Sequence, residues 1–413
     1  MQDVYIVGVG MTHFGRHLDQ TEKQLTALAV EDALRDAACE RKWVGAAFHG
    51  NCGQGYMQGQ HFIRGQVALL PLGLQGIPVT NVENACATAS TAFHMALAYV
   101  RAGNADVALA VGTEKMYSVD RAKMFGVFDS GWDLDLVEQT RARFVAMGEG
   151  VELPAGSTSP KPYSPFMDVY AGFARRYIRR FGVTQRQLAL IAAKNHTHAV
   201  HNPRAQFRAA MTADEVLAAP PITYPLTLPM CSPISDGSAA AIVCTGAALS
   251  RYGFERRRAV RVLASVMRSA SERDVDDLEH HLTRLAANAA YEQAGLGPPD
   301  IHVAEVHDAT SMGELMQTEM LGFCALGEGG AFAESGATSL GGSIPVNPSG
   351  GLESKGHPIG ATGLGQIFEL VGQLRGECGA RQVVGARVAM QENGGGIWGI
   401  EESAAHVGIY AAA

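Results

Sequence analysis

Asn81-Val-Glu-Asn-Ala-Cys86-Ala-Thr-Ala-Ser90 holds the residue best suited to covalent chemistry. The apolar segment Ile77-Pro-Val-Thr80 precedes it, and Phe93, Ala96, Leu97 and Val100 follow at the three-and-four spacing of one helix face. Cys86 therefore falls where a strand or loop turns into a helix. A sulfur in that position lies near unpaired backbone N–H groups and the positive end of the helix dipole. Both favour thiolate over thiol, and thiols so placed titrate anywhere from about 3.5 to 7.5. Ala85, Ala87, Ala89 and Ser90 are small and leave the site open. A buried packing cysteine is the competing reading of this stretch taken alone.

A second stretch is Asn347-Pro-Ser-Gly-Gly-Leu-Glu-Ser-Lys-Gly-His357-Pro-Ile-Gly-Ala-Thr-Gly363, with five glycines and a helix pattern after it. Glycine at this density implies a tightly folded backbone that something approaches closely. A histidine followed by proline suits proton transfer beside a thiol. Alone, a histidine in a Gly-rich turn is more often a structural residue.

Together the two stretches resemble the thiolase superfamily, and the resemblance covers almost the whole chain. It is closest to the sterol-carrier-protein-x type and its bacterial relatives. The cues are Tyr163-Ser-Pro-Phe-Met-Asp-Val-Tyr170, then Lys194-Asn-His196, then Pro229-Met-Cys-Ser-Pro-Ile-Ser-Asp-Gly237. The resemblance implies an acyl-CoA acyltransferase of the acetyl-CoA acetyltransferase or 3-ketoacyl-CoA thiolase kind, acting in lipid or sterol side-chain metabolism. Coenzyme A thioester would be its substrate, with no separate cofactor. Cys86 occupies the acyl-accepting position and His357 the position that takes the thiol proton. His307, in Val306-His-Asp-Ala-Thr310, occupies the position of a thioester-oxygen donor, an oxyanion-hole duty. The backbone N–H groups of Cys86 and Gly394 match a second oxyanion hole, and Ser232 the contact to the pantetheine arm.

One departure matters. Thiolases deprotonate the α-carbon of the second acyl group with a cysteine before the final Gly-rich turn. That turn here reads Met390-Gln-Glu-Asn-Gly-Gly-Gly396, and Glu392 aligns with the cysteine. The sterol-carrier type places a cysteine after His-Asp, where this chain has Ala309. Glu392 serves as acid and base only if burial raises its pKa from about 4.3 toward neutrality; otherwise it is a hydrogen-bonded turn residue. The Cys-His-His set also resembles that of decarboxylating ketoacyl synthases, which need no such base. A further alternative is an aldolase or C-acyltransferase paired with an OB-fold, zinc-ribbon subunit, or a non-catalytic acyl-CoA-binding protein.

The elements that must position these residues alternate. Strands are expected at Val4–Val9, Ala46–Phe48, Asp106–Gly112, Gly237–Val243, Val260–Ser265, Val303–His307 and Gly385–Met390. Helices are expected after the Thr21–Gln24 capping box and Cys86, and at Leu282–Ala294, Glu314–Leu321 and Gly365–Arg375. This is an α/β pattern with layered mixed sheets. Ala92–Gly112 and Gly365–Gly396 repeat one theme of helix, polar break, apolar strand and glycine. The expected division is an N-terminal half, residues 1–247, and a C-terminal half, residues 248–413. A loop domain of about residues 117–230 interrupts the first half and covers the site. Gly53–Gly59 reads as a surface or dimer-contact loop.

At 413 residues the chain suits two or three packed units, and 47% hydrophobic residues supply their cores. A net charge of −8 argues against nucleic acid as a partner. No apolar run approaches the roughly 20 residues of a membrane span. With no basic leader and no peroxisomal tripeptide, a cytoplasmic location is expected, as at least a homodimer or a dimer of dimers. The seven cysteines show no CxxC spacing, so neither disulfides nor a zinc knuckle is expected. His196, His198 and His201 are close in sequence, but a helix does not aim all three at one point, and no metal is expected.

Overall fold

The structure, a computed structural model, describes residues 2–413. Nine strands make up the main sheet: β1 (Val4–Met11), β2 (Ala46–Gly50), β3 (Val79–Val82), β4 (Val107–Glu114), β5 (Gly237–Thr245), β6 (Val260–Ser269), β7 (Val303–Glu305), β8 (Val388–Gly395) and β9 (Ala404–Ala412). Their order is β3-β2-β4-β5-β1-β6-β9-β8-β7. Only Tyr5↔Arg261 and Ile6↔Val260 join β1 to β6, so the sheet is two sheets touching at a narrow seam.

The two sides of that seam repeat. On one side β1 pairs antiparallel with β5, β5 antiparallel with β4, and β2 parallel with both β4 and β3. On the other, β6 pairs antiparallel with β9, β9 antiparallel with β8, and β8 parallel with β7. A parallel bridge from Ala304 to Val346 completes the second set where β3 completes the first. These are the two duplicated α/β halves.

Strands covered on both faces read as continuous apolar runs. Ile6 faces the central core while Tyr5 and Val7 face an outer one, the period-two alternation of a strand. The central core is a helix pair, α2 (Thr88–Arg101) and α7 (Thr362–Arg375). Phe93, Leu97 and Val100 of α2 pack there with Leu364, Ile367 and Leu370 of α7. The helix α1 (Glu22–Asp36) covers the outer face of the first half, and α5 (Leu282–Ala294) covers that of the second. Both capping-box hydrogen bonds form between Thr21 and Gln24.

Residues 117–230 leave the sheet. Their main helices are α3 (Phe166–Phe181) and α4 (Gln185–Ala199), whose apolar faces join Met312, Leu315 and Met316 of α6 (Ser311–Met320). The insertion thus rests on the second half and roofs the junction between halves.

Three expectations are corrected. The final Gly-rich turn lies inside β8, which runs to Gly395 rather than ending at Met390. Gly53–Gly59 contains a short helix, Gln54–Gln58, and Cys52 beside it lines the central cavity. The strand β9 was not expected, because Ala404-Ala-His-Val-Gly-Ile-Tyr is rich in residues of poor strand propensity.

Candidate active site

Cys86 sits in a tight turn, Ala85–Ala87, that runs directly into α2. Ala85 holds a left-handed φ of 47°, a conformation costing about 1–3 kcal/mol for a residue with a Cβ. The surroundings enforce it. The Ala85 N–H donates to Glu83 Oε1 at 2.5 Å, the Ala87 N–H to the Asn84 carbonyl at 3.0 Å, and the Asn84 N–H to Thr88 Oγ1 at 2.8 Å. The strand β8 passes behind the turn. A Cβ on Gly395 would stand 2.4 Å from Asn84 O, 2.5 Å from Ala87 N and 2.9 Å from Cys86 N, so only glycine fits.

His357 enters from the other half. Thr362 Oγ1 lies 2.6 Å from its Nδ1 and donates its own proton to the Pro358 carbonyl at 3.1 Å. Thr362 must therefore accept from Nδ1–H, which leaves Nε2 bare as a proton acceptor. The His357 N–H donates to Ser235 Oγ at 2.9 Å. His307 follows the end of β7, its ring centroid 5.2 Å from that of His357. Both His307 ring nitrogens are buried without a partner. One ligand atom each from Cys86, His307 and His357 lies within 4.8 Å of the other two.

Hydrogen bonds within and between the halves fix this convergence. Gln391 of β8 donates to the Gly363 carbonyl at 2.7 Å and to Ser90 Oγ at 3.1 Å, joining the starts of α2 and α7. Glu114, at the end of β4, accepts from the N–H groups of Cys52, Gly53 and Gly360. Lys355 pairs with Glu305 at 2.8 Å, and Asp308 accepts from the Leu352 N–H at 2.7 Å. The loop carrying His357 is thereby fastened to the strand carrying His307.

The electrostatics reverse one expectation. Burial, then the carboxylates of Glu114 and Glu83, push the Cys86 thiol up to about 12, outweighing the helix end. Burial lowers His307 to about 4. Burial, then His307 and Lys355, hold His357 well below the usual histidine range. The resting set is a neutral thiol with two neutral imidazoles, so Cys86 needs His357 to take its proton.

These groups open on a cavity of about 350 Å³. Phe128, Phe166, Met167 and Tyr170 of the insertion form its roof, and Ser232 lines it as well. Ala309, the position of the sterol-carrier cysteine, is in the wall. Gly395 and Gly396 line the cavity and Gly394 does not, so the residue flanking Cys86 is one place further along β8 than the resemblance implied. Glu392 also lies outside the lining. It is fully buried, with Oε2 accepting from the His307 N–H at 2.9 Å and Oε1 unpartnered. Burial, then Glu402, raises its carboxyl well above the usual range.

Two cavity residues escaped the reading from sequence. Cys52 Sγ lies 3.1 Å from the Ala85 carbonyl and 3.0 Å from Thr88 Oγ1. Glu402 belongs to the connection between β8 and β9. The only signal for it was the pair Glu401-Glu402 between a Gly-rich run and an apolar one.

As for metals, Cys86, His307 and His357 form the one cluster of suitable donors among the described residues. The thiol's raised pKa opposes the thiolate a soft metal requires. The other histidines do not converge. His198 Nδ1 meets the Asn347 carbonyl at 3.0 Å and its Nε2 accepts from the Leu340 N–H, while His196 Nδ1 meets Ser354 Oγ at 3.2 Å.

The chain matches the thiolase N-terminal domain over residues 4–217 and the thiolase C-terminal domain-like family over residues 264–407. It is 38% identical to an acetyl-CoA acetyltransferase of Methanothermobacter thermautotrophicus, over 97% of this chain and 98% of that one. It is 37% identical to sterol carrier protein 2 of Homo sapiens, over 95% of this chain and 70% of that one. It is 35% identical to the benzoylsuccinyl-CoA thiolase subunit BbsB of Thauera aromatica, over 95% of this chain and 94% of that one. Among solved structures, an Ltp2-ChsH2(DUF35) aldolase superposes with a TM-score of 0.77 at 23% identity, over 99% and 98% of the two chains. Human mitochondrial 3-ketoacyl-CoA thiolase with CoA superposes with a TM-score of 0.70 at 16% identity, over 100% and 98%. Fold and likeness define an acyltransferase built on a duplicated α/β scaffold. The chain belongs to the thiolase family.

Proposed function

We propose that Cys86 accepts an acyl group from a coenzyme A thioester and passes it to coenzyme A or to a carbon nucleophile, as in acetyl-CoA acetyltransferases and 3-ketoacyl-CoA thiolases. The observation that carries this reading is the meeting of Cys86, His307 and His357, drawn from both halves, at one cavity. His357 Nε2 takes the thiol proton as Sγ attacks the thioester carbonyl, and the C–S bond to coenzyme A breaks. The proton then passes to the departing coenzyme A thiolate. The backbone N–H groups of Cys86 and Gly395 stabilise the first oxyanion, and the unpartnered His307 binds the thioester oxygen of the second acyl group. Ser232 contacts the pantetheine arm. The apolar roof of Phe128, Phe166 and Met167 suits an acyl group larger than acetyl, consistent with lipid-derived or aromatic acyl-CoA.

The test is intact-mass analysis after acetyl-CoA or a longer acyl-CoA. A single acyl adduct that disappears in Cys86→Ala supports the reading. An adduct on another residue, or full turnover in Cys86→Ala, overturns it.

A second reading concerns assembly. The Ltp2-ChsH2(DUF35) aldolase and the benzoylsuccinyl-CoA thiolase are named as complexes or subunits. On that ground a small OB-fold, zinc-ribbon partner is a candidate, beside a homodimer in the cytoplasm. No helix among the described residues is long and apolar enough to cross a membrane. Purification from the native source, with light scattering, separates a homodimer from a hetero-complex.

A further inference from the structure

Claisen condensation and its reverse need a group that moves a proton at the α-carbon of the second acyl unit. Neither cysteine that thiolases use for this is present, and Glu392 stands outside the cavity. Glu402 stands inside it, on the same lining as Cys86, His307, His357 and Gly395.

Its position comes from the connection between β8 and β9. The chain leaves β8 at Gly395, turns through Gly396–Gly399, and returns at Ala404, paired opposite Gly395. That return carries Glu402 back over Gly394, where a Cβ would stand 2.8 Å from the Glu402 side chain. Gly395, the next residue, flanks the Cys86 amide. Glu402 and the acyl-accepting turn thus lie against neighbouring glycines of one strand, and both line the cavity.

Its neighbour shows how the site sorts the two carboxyls. Against the effect of burial, Arg273 at 2.6 Å and Ser271 hold Glu401 below the usual carboxylate range, so it stays ionised and structural. Glu402 has no cation in contact. Gln317 of α6 donates to its Oε1 at 3.3 Å. His281, at the start of α5, accepts the Thr283 N–H on Nδ1 and so carries its proton on Nε2, 3.9 Å from Glu402 Oε2 and otherwise unpartnered. The other titratable groups facing it are Glu392 of β8, Tyr170 of α3 and Cys86. Burial raises its carboxyl to about 7, opposed by its backbone N–H, so both protonation states are available near neutrality.

We infer that Glu402 is the acid/base at the α-carbon, replacing the cysteine that other thiolases use. In condensation the Glu402 carboxylate takes an α-proton from the second acyl-CoA, and the electron pair moves onto the thioester oxygen held by His307. The carbanion attacks the Cys86 thioester carbonyl, the new C–C bond forms, and the C–S bond to Cys86 breaks. The departing Sγ, relayed by His357 Nε2, takes up the proton that Glu402 removed, so the thiol, the neutral imidazole and the carboxylate are all restored. In thiolysis protonated Glu402 returns the proton to the carbanion.

This rests on the acyl-enzyme reading, and the experiment separates the two. Cys86 acylation is followed by mass, and exchange of α-hydrogens of acetyl-CoA into deuterated water by NMR, in wild type, Glu402→Gln and Glu392→Gln. The expected result is wild-type acylation in all three, with exchange lowered at least about 100-fold in Glu402→Gln alone, the scale of general acid–base catalysis. Exchange that survives in Glu402→Gln, or that is lost in Glu392→Gln instead, overturns the inference. Should Glu402→Gln fail to fold, the pH profile of exchange decides. An inflection near neutrality that Gln317→Leu moves upward and Glu392→Gln leaves in place supports Glu402, and one that Glu392→Gln moves refutes it. Absence of any Cys86 adduct in wild type is failure of the acyl-enzyme reading, and exchange would still report on Glu402.

Discussion

Thr362 Oγ1 lies 2.6 Å from His357 Nδ1 and gives its own hydrogen to the Pro358 carbonyl, so one threonine chooses the tautomer of the histidine beside Cys86. With Nδ1 protonated, Nε2 is the acceptor. Replacement by valine keeps the shape and removes the acceptor. Thr362→Val should slow Cys86 acylation about ten- to hundredfold, the cost of a buried donor left unpaired converted to a rate. Coenzyme A ester binding should change little. Single-turnover acylation monitored by mass checks this, and an unchanged rate would show that His357 needs no such orientation.

Cys86 should label with iodoacetamide through His357 rather than as a free thiolate. Its thiol is pushed up to about 12, so at neutral pH the uncharged form predominates unless a base assists. Labelling of wild type should rise steadily from pH 6 to about 9 with no plateau, and His357→Asn should lower it at least about tenfold. Four of the other six cysteines are buried, leaving Cys52 and Cys324 as competitors. A plateau below about pH 7 would mean the thiolate already exists in the resting enzyme.

The two glycines of the final turn should differ sharply. Gly395→Ala drives a Cβ into backbone at 2.4 and 2.5 Å, so the Cys86 turn must move. Gly394→Ala meets only the bendable Glu402 side chain at 2.8 Å. The first should cost about 1–3 kcal/mol of stability and nearly all acylation. The second should keep acylation and disturb the later carbon chemistry. Thermal melts beside acylation rates check both, and equal effects would place the oxyanion site elsewhere.

Stability should peak in mildly acidic solution. His49 and His307 are depressed to about 4 and His198, His281 and His406 to about 3, each chiefly by burial. The unfolded chain binds more protons at these sites below about pH 6.5, so their stabilisation is lost as pH falls from there toward 3. Glu114 and Glu402 are raised to about 7 and Glu353 to about 8, again chiefly by burial. The folded state holds these protons, so that contribution is complete below about pH 4.5 and is lost as pH rises through 7 to 8. The melting temperature should be highest between about pH 5 and 6.5 and lower on both sides. A monotonic rise from pH 4 to 9 would contradict these assignments.

His307→Ala should spare the first half-reaction and impair the second. Its two ring nitrogens have no protein partner, which leaves them for a substrate oxygen. Loss of one such donor costs about 10²–10³ in turnover. Burst amplitude against steady-state rate separates the steps, and equal loss of both would make His307 structural.

Local sequence determined much of this protein. The helix phase of Phe93, Leu97 and Val100, the capping box at Thr21 and the apolar strands are set by contacts within a few residues, where side-chain period and hydrogen-bond donors act directly. The Cys86 and His357 stretches were legible for the same reason, since each is a compact turn before a helix. Tertiary structure alone decided what those turns face. It made Cys86 a thiol, because burial and Glu114, 28 positions along the chain, outweigh the helix end. It moved the glycine beside Cys86 from Gly394 to Gly395, since alternation along β8 depends on its register with β9, a strand that pattern did not reveal. It withdrew Glu392 from the cavity, its carboxyl accepting the His307 N–H instead, and brought in Glu402, because the return of the chain over Gly394 turns that side chain inward. Propensity acts over a few residues, whereas the field and the space around a side chain are supplied by segments far away in sequence.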